Sequence, residues 1–286
     1  MGIPAAVVLG ATGRIGRLIQ AVPPEGIALR LQARRPQAAP GDWHVFDPLA
    51  DPDALTRLAA GAESLLCLAG PVPGRGAADM GDHIRLGEAA VRAAAAAGGA
   101  RVLLASSAAV YGAQAGLLAE DAPLQPANPY GRAKAEMEAR AAALGAQLGV
   151  PVCALRIGNI AGLDAILGGW REGFRLDRFP DGRSPRRSYT GVQTLARVLG
   201  ALLALPDLPP ALNIAQPGTV EMAALLQAAG RPFAQVPAPD SAIPEVALDT
   251  ARLQALLPFG LAPADPAQMI AEWALLEPYM KEQSRL

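Results

Sequence analysis

The sequence predicts an α/β fold built on a doubly wound parallel sheet, and three observations lead to this prediction. Short apolar runs without polar alternation are separated by longer helical patterns, which is typical of parallel strands that helices cover on both faces. The first apolar run leads directly into a glycine-rich turn and a helical pattern. Hydrophobic residues make up 51% and charged residues 18% of the 286-residue chain, a composition that suits a globular protein with a large buried core.

The apolar runs predict six strands in chain order, at AAVVLG, IALRLQAR, WHVFD, SLLCLAG, RVLLASS and VPVCALRIG. The patterns between them predict helices at GRIGRLIQAV, DPDALTRLAA, DHIRLGEAAVRAAAAAG and PYGRAKAEMEARAAALGAQLG. Two of these helices contain alanine runs, at residues 93–97 and 141–143, and alanine is the best helix former. We therefore expect residues 1–157 to form one doubly wound domain.

The alternation loosens after Gly158, where the sequence becomes rich in glycine and charge. The segment PALNIAQPGTVEMAALLQAAG predicts one more strand followed by a helix, so residues 190–216 are expected to return to the first domain. Residues 158–189 and 217–286 are then expected to form a small C-terminal substrate lobe. It would lie over the carboxyl ends of the strands, where ligands bind in open α/β sheets.

Charge and cysteine usage restrict the partners and the compartment. A formal net charge of −1 gives no basic surface for nucleic acid or an anionic membrane. Cys67 and Cys153 both lie in apolar runs, where a cysteine behaves as a small hydrophobic residue. No stretch reaches the roughly 20 apolar residues of a membrane span, and the N-terminus lacks a signal-peptide pattern. These features predict a cytoplasmic protein that acts on a small molecule.

The strand AAVVL is followed by the turn GATGRIG at residues 10–16 and then by a helical pattern. Glycines in such a turn let the backbone approach a pyrophosphate, and the N-terminal N–H groups of the helix can bind the anion. Because this turn lies at the first strand-to-helix crossover, it predicts a Rossmann-type fold that binds a dinucleotide. The residues expected to contact the cofactor here are Gly10, Thr12, Gly13, Arg14, Ile15 and Gly16.

The GxxGxxG spacing differs from the GxGxxG of most NAD dehydrogenases. The segment VLGATGRIG resembles the short-chain dehydrogenase/reductase superfamily, and in particular its extended branch, the NAD-dependent epimerase/dehydratase family. Asp47 matches the position at which the family's aspartate contacts the adenine amino group, although an Asp before a proline also fits a helix N-cap. The further cofactor contacts that the resemblance implies are Pro48, Leu68, Ala69 and Gly70.

The end of the second strand indicates which dinucleotide binds. An acid there would hydrogen-bond the adenosine ribose, whereas an arginine would accommodate a 2′-phosphate. The strand IALRLQA ends in Arg34 and Arg35 without a carboxylate, and Arg14 in the glycine turn could reach the same phosphate. We therefore expect NADP(H) rather than NAD(H); the alternative is that both strand-end arginines are solvated loop charges.

A tyrosine and a lysine four residues apart open the predicted helix at NPYGRAKAEMEARAAALG. Asn128 suits the N-cap and Pro129 the first helical position, so Tyr130 and Lys134 would share one helix face. A tyrosine needs a pKa well below about 10 to work as an acid or base near neutrality, and a nearby ammonium stabilises its phenolate. The pair predicts that arrangement.

The preceding segment RVLLASSAAVYG resembles the family's SSxxVYG segment. The resemblance implies that Tyr130 is the acid/base, that Lys134 holds the ribose hydroxyls and tunes Tyr130, and that Ser107 polarises a substrate oxygen. Ser106 is expected to be the structural member of the serine pair, and Tyr111 to pack at the strand end.

Two later segments extend the resemblance. LRIGNIAG resembles the family segment that borders the nicotinamide, which implies contacts from Ile157, Asn159 and Ile160. Residues 186–196 resemble the stretch R-x-(F/Y)-(I/V)-H-V-D-D-(L/V)-A, but Gln193 and Thr194 stand where it has two acids. Residues between 159 and 188 are fewer than in sugar-nucleotide epimerases, which favours a smaller or differently shaped substrate. The candidates to bind an anionic group on it are Arg183, Arg186 and Arg187.

These features predict an NAD(P)-dependent oxidoreductase or epimerase that transfers a hydride at a carbonyl or carbinol carbon. Two alternatives remain: a nucleotide-sugar epimerase or dehydratase that retains NAD, and a non-catalytic dinucleotide-binding regulator. His44 and His83 are expected on the surface or in loops, and no cluster has the spacing of a metal site. Helices resembling residues 82–97 and 129–148 form dimer interfaces in the family, so a homodimer is expected.

Overall fold

The computed structural model describes residues 3–71 and 79–283 of the chain. The helices of this part are α1 (Arg14–Ala21), α2 (Pro52–Ala59), α3 (Asp82–Ala96), α4 (Pro129–Leu148), α5 (Val192–Ala204), α6 (Met222–Ala228), α7 (Ala251–Leu256) and α8 (Pro266–Gln283). The strands are β1 (Ala5–Leu9), β2 (Ala28–Ala33), β3 (Asp42–Val45), β4 (Ser64–Cys67), β5 (Arg101–Ser107), β6 (Leu117–Leu118), β7 (Val152–Ile157), β8 (Asn159–Ile160), β9 (Arg175–Arg178), β10 (Arg186–Arg187), β11 (Tyr189–Thr190), β12 (Ala211–Ile214), β13 (Val220–Glu221), β14 (Ala234–Pro237) and β15 (Glu245–Leu248).

Seven strands form the central sheet in the order β3-β2-β1-β4-β5-β7-β12. Every neighbouring pair in it is parallel. All six strands predicted from the apolar runs belong to this sheet, and β12 is the additional strand predicted at PALNIAQ. The prediction of a Rossmann-type doubly wound sheet is therefore confirmed.

Helices cover both faces of the sheet because successive residues of each strand point to opposite sides. One core includes Leu66 and Leu103 of the sheet together with apolar residues of α1, α5 and α8. The other includes Leu65 and Leu104 with apolar residues of α2, α3 and α4. Burial on both faces explains why these strands are almost uniformly apolar. Cys67 and Cys153 lie buried and unpaired in two of them.

Smaller sheets follow the carboxyl end of β7. Strand β8 begins two residues later and pairs with β11, and β10 lies between β13 and β15. Helix α8 returns to pack against α1, α5 and α6. The division into a cofactor domain and a substrate lobe stays a prediction. In the part of the chain that the structure describes, no helix has the length and apolar character required to cross a membrane.

Candidate active site

The glycine turn between β1 and α1 brings three backbone segments into close contact. Gly10 has φ of +75°, and a Cβ there would lie 2.7 Å from the Cα atom of Ala69. A Cβ on Gly16 would lie 2.4 Å from the carbonyl oxygen of Ala11. Gly13 is the N-cap of α1 without a side-chain cap, and the first turn carries no acid. The N-terminal N–H groups of α1 are therefore suited to a pyrophosphate.

Buried Gln32 on β2 holds this turn in place, a role that sequence reasoning missed. Its side-chain oxygen accepts a hydrogen bond from the N–H of Gly10 at 3.0 Å, and its amide donates to the carbonyl of Phe46 at 2.6 Å. Arg34 and Arg35 follow at the end of the strand and are exposed. Arg14, the other residue expected to reach a 2′-phosphate, contacts a segment after β8. Its guanidinium donates to the carbonyl oxygen of Leu163.

Asp47 does not cap a helix, so that interpretation of the sequence is wrong. The helix begins at Pro52, and its N-cap is Asp51, whose carboxylate accepts a hydrogen bond from the N–H of Ala54 at 2.8 Å. Asp47 instead accepts one from the N–H of Leu49 at 2.9 Å in the turn before the helix. It is exposed just beyond β3, while Pro48 is buried.

The predicted Ser-Tyr-Lys group assembles at the carboxyl end of β5. Asn128 caps α4 by accepting a hydrogen bond from the N–H of Gly131 at 2.8 Å, as predicted. This cap places Tyr130 and Lys134 on the face of the helix that meets the sheet. The Lys134 ammonium lies 5.8 Å from the ring centroid of Tyr130 and donates to the carbonyl of Ala105 at 2.5 Å. The Tyr130 hydroxyl is hydrogen-bonded to Ser107.

The shift of the Tyr130 pKa is opposite to the expected one. Burial raises this pKa above its ordinary value, and the Ser107 hydroxyl and the Arg14 charge offset only part of the rise. Burial also lowers the pKa of Lys134 to about 8, because a low-dielectric site disfavours the ammonium. Tyr130 is therefore held as a phenol near neutral pH, which is the form that donates a proton.

A buried polar network lies behind the reactive group. Ser106 donates to Glu138, and the guanidinium of Arg156 donates to the same carboxylate at 2.8 and 3.1 Å. Arg156 also donates to the hydroxyl of Tyr111 at 2.9 Å, which donates to Asn213 at 2.7 Å. Ser106 thus has a structural environment, as predicted, and Tyr111 links β7 to β12 as well as packing.

Two cavities meet near this network, and they share Ser107 in their linings. The cofactor-side cavity, of about 220 Å³, is lined by predicted cofactor residues from the glycine turn, the end of β4, the start of α4 and the region around the end of β7. These are Gly13, Arg14, Ile15, Gly16, Leu68, Gly70, Tyr130, Lys134, Ile157 and Ile160. Arg34, Asp47 and Pro48, at the ends of β2 and β3, do not line it. The substrate-side cavity, of about 250 Å³, includes Asn128, Asn159 and Arg187 in its lining. Ser107, Ile157 and Gly158 line both cavities, so the serine lies where cofactor and substrate would meet.

The three arginines predicted to bind an anionic group differ in their surroundings. Arg186 pairs with the carboxylate of Glu245 at 2.9 Å and donates to the hydroxyl of Thr219 at 3.0 Å. Arg187 lines the substrate-side cavity and donates to the carbonyl of Ile243 at 2.8 Å. It has no carboxylate within 4.0 Å among the described residues, and burial lowers its pKa. Arg183 is exposed.

His83 belongs to the site, and the prediction of a surface or loop position is wrong for it. It lies in α3 with 3% of its surface exposed, and its ring meets that of Tyr130 edge-on at 5.6 Å between centroids. Helical periodicity was the available signal, because buried Leu86, Gly87 and Ala90 lie on the same helix face. His44 lies on β3 and contacts Asp42 at 3.1 Å.

Helix α8 supplies the acid that the sequence lacks at residues 193 and 194. The carboxylate of Glu272 accepts hydrogen bonds from the N–H groups of Gln193 and Thr194, at 2.9 and 3.0 Å. The hydroxyl of Thr194 donates to it at 2.6 Å. A distant residue therefore caps α5, where a negative charge is favourable.

The chemistry of the cofactor-side cavity fits a nicotinamide dinucleotide. The uncapped N-terminus of α1 suits a pyrophosphate, and a Cβ on Gly13 or Gly16 would obstruct the close turn there. The cavity also contains the ring of His83, neither nitrogen of which has a hydrogen-bond partner among residues 3–71 and 79–283. Buried polar atoms of this kind indicate a missing partner such as a ligand.

The sequence model of the NAD dependent epimerase/dehydratase family matches residues 6–169, more than half of the chain. No curated protein matches this chain. Among solved structures, UDP-glucose 4-epimerase from Brucella ovis in complex with NAD has 20% identity and a TM-score of 0.80, covering 93% of this chain and 96% of that one. DesIV, a dTDP-glucose 4,6-dehydratase from Streptomyces venezuelae with NAD and TYD bound, has 18% identity, a TM-score of 0.74, and coverage of 98% and 99%. MoeE5 in complex with UDP-glucuronic acid and NAD has 24% identity, a TM-score of 0.77, and coverage of 96% and 99%.

Similarity at these identities shows a shared fold over almost the full length of each chain. The family match covers β1, the glycine turn, the Ser-Tyr-Lys group and the segment after β7. It therefore includes most of the residues that line the cofactor-side cavity. The chain belongs to the NAD dependent epimerase/dehydratase family and is an NAD(P)-dependent enzyme of the extended short-chain dehydrogenase type.

Proposed function

We propose that the enzyme transfers a hydride between NADP(H) and a carbonyl or carbinol carbon of a small anionic substrate, with Tyr130 as the acid/base. The observation that carries the proposal is the position of Ser107. It lines both cavities and is hydrogen-bonded to Tyr130. A substrate oxygen at this junction would be within reach of both hydroxyl groups, which is the arrangement required for general acid catalysis.

Tyr130 would act first as an acid. Because burial raises its pKa, the phenol is the populated form, and it can donate its proton to a carbonyl oxygen as that oxygen gains negative charge. Ser107 would donate a second hydrogen bond to the same oxygen. The bound nicotinamide supplies or accepts the hydride. The reverse reaction requires the tyrosine to take the proton back from a hydroxyl group.

The remaining residues would position the cofactor. Lys134, whose pKa of about 8 leaves it largely protonated at pH 7, would donate to ribose hydroxyls. The glycine turn would hold the pyrophosphate, and Asp47 would face the adenine. Residues 157–160, each of which lines at least one of the two cavities, would border the nicotinamide ring.

We propose NADP(H) because β2 ends in Arg34 and Arg35, both exposed, and no carboxylate stands at either position to receive a ribose hydroxyl. The test is a fluorescence titration of the purified protein with NADPH and NADH. Arg34→Ala should weaken NADPH binding selectively, by about 10- to 100-fold, as expected for the loss of charge-assisted hydrogen bonds.

Arg57→Ala is the matched control, since Arg57 is exposed in the last turn of α2, at the sheet edge opposite the glycine turn. It should leave both affinities unchanged. Preference for NADH in the wild type, or an Arg34→Ala variant with unchanged selectivity, would overturn the NADP(H) assignment.

The acid/base role is tested with Tyr130→Phe. A screen of aldehydes and ketones that carry a carboxylate or phosphate group would identify a substrate, whose reduction is followed at the nicotinamide absorbance. The variant should lose about 10²- to 10⁴-fold in kcat while keeping its affinity for the cofactor. Retention of wild-type kcat would remove Tyr130 from the mechanism.

A second candidate is a nucleotide-sugar epimerase or dehydratase that keeps NAD bound through a cycle. The ligands of similar structures favour it, since UDP-glucuronic acid and NAD are bound to MoeE5. Incubation with UDP-glucose and dTDP-glucose, without added cofactor, distinguishes the two. Turnover under these conditions would favour this candidate, whereas dependence on added NADPH favours the first.

We also propose that the enzyme acts in the cytoplasm as a homodimer. Two unpaired cysteines, Cys67 and Cys153, are consistent with a reducing compartment. Helices α3 and α4 pack side by side, with Arg140 and Glu88 joined at 2.7 Å, and would present one paired surface to a second copy. Sedimentation equilibrium tests the oligomeric state.

A further inference from the structure

We propose that His83 binds the ribose that carries the nicotinamide, through a neutral imidazole facing the cofactor-side cavity. This inference rests on the proposed use of a nicotinamide cofactor and adds a contact from helix α3 to it. His83 is almost fully buried, lines the cavity, and has two ring nitrogens without a hydrogen-bond partner in the described part of the chain.

Two unpaired nitrogens in one buried ring are costly. A buried polar group without a partner costs roughly 1–3 kcal/mol, and native proteins satisfy nearly all such groups. A histidine that served only for packing could be replaced by an apolar residue at no such cost. The position of the ring in a cavity therefore points to a ligand that supplies the missing partners.

The surroundings of His83 indicate which part of the cofactor it contacts. The ring lies against the backbone of Gly70, where an added Cβ would be 2.3 Å from Nδ1. It meets Tyr130 edge-on, and the positive charge of Lys134 is close enough to affect its protonation. Tyr130 and Lys134 are the groups proposed to face the hydride-transfer end of the cofactor, so His83 lies beside that end.

The charge state of the ring selects the chemistry of its partner. Burial, and after it the Lys134 ammonium, lowers the pKa of His83 to about 3. The carbonyl of Pro71 opposes this shift through a contact that falls short of hydrogen-bond geometry, so it satisfies neither ring nitrogen. The ring therefore has one donor nitrogen and one acceptor nitrogen at neutral pH. Lys134 can only donate. A pair of adjacent hydroxyl groups, each able to donate and accept, matches this combination.

Nitrogen NMR of histidine rings tests the contact directly, because the chain has two histidines. Protein labelled with ¹⁵N in its histidine rings would be titrated with NADPH, ADP-ribose and ADP, the last two also in their 2′-phosphorylated forms. His83→Phe assigns the signals, and the partly exposed His44 beside Asp42 is the internal reference. NADPH and ADP-ribose should shift the His83 nitrogens, whereas ADP should leave them in place.

Affinity provides a second readout that does not depend on activity. His83→Phe keeps a ring of similar size and removes both nitrogens. The Kd for NADPH should therefore rise about 3- to 12-fold, as expected for the loss of one neutral hydrogen bond. The Kd for ADP should stay the same, and circular dichroism should show a native fold. Ring nitrogens that do not respond to bound ADP-ribose, or that respond equally to ADP, would overturn the ribose assignment.

The two proposals fail in different ways. A wild-type protein that binds neither NADPH nor NADH would overturn the proposed function together with the role of His83. A protein that binds NADPH equally well with histidine or phenylalanine at residue 83 would overturn the His83 contact alone.

Discussion

Two polar regions meet at the carboxyl end of β5, and they differ in how completely their hydrogen bonds are satisfied. Behind the strand, Ser106, Glu138 and Arg156 bond to one another in a buried network. In front of it, Ser107 opens onto both cavities, and His83 keeps two unpaired nitrogens. Groups that satisfy each other hold the sheet and α4 together, whereas groups left unsatisfied in a cavity are available to a ligand.

Adjacent residues of β5 thus serve different purposes, although both contact α4. Ser106 points to the carboxylate of Glu138, one helical turn beyond Lys134 on α4, and fixes that helix against β5. Ser107, the next residue, lines both cavities and is hydrogen-bonded to Tyr130, nearer the start of the same helix. The contact between Ser106 and Glu138 therefore helps to position α4, the helix that carries Tyr130 and Lys134.

The largest effect is expected from disrupting the buried network of Ser106, Glu138 and Arg156. Arg156→Met would leave Glu138 buried without its cation, which should lower the free energy of unfolding by about 3–5 kcal/mol. Urea denaturation followed by circular dichroism measures this loss. The double variant Glu138→Gln/Arg156→Met removes both charges and should recover part of it. A double variant that is less stable than Arg156→Met alone would contradict a coupled pair.

Arg187, which lines the substrate-side cavity, should behave differently from Arg156. Arg187 lines the substrate-side cavity without a carboxylate partner among the described residues, so Arg187→Gln should raise KM for an anionic substrate by about 10- to 100-fold. The effect on unfolding should be small in comparison with that of Arg156→Met. Arg186→Gln is the matched control and should change KM less than about threefold, since Arg186 already pairs with Glu245 at the surface.

A smaller change in stability is expected at Glu272, whose carboxylate caps α5. Glu272→Gln keeps the size of the side chain but removes the charge at the N-terminus of α5, which should lower the free energy of unfolding by about 1–2 kcal/mol. Chemical denaturation measures it, with Glu277→Gln as control because that half-buried residue pairs with the exposed Lys281 and caps no helix. Equal stability of the two variants would argue against the cap.

The fold and the reactive group were predictable because their signals are local. Apolar runs of the right length predicted the sheet, and Asn128 with Pro129 predicted the start of α4. Contacts set by tertiary packing were not predictable in this way. Glu272 lies 78 residues from Thr194, and the direction of Arg14 depends on Leu163, 149 residues away. The pKa of Tyr130 rose because burial outweighed its polar neighbours, and burial is a property of the whole fold.

The smallest effect is expected at the imidazole of His83, and it depends on pH. The folded-state pKa of His83 is about 3, below its ordinary value of 6.5, so the unfolded chain takes up this proton first as the pH falls. Stability is therefore lost below pH 6.5, by about 1 kcal/mol between pH 6.5 and 5.5 for this group alone. His83→Phe should lose that much less over the same interval, as measured by urea denaturation at both pH values. The carboxylates titrate in both proteins and therefore cancel in this comparison. Identical losses would mean that His83 is already protonated in the folded enzyme and has a polar partner, like the residues of the buried network.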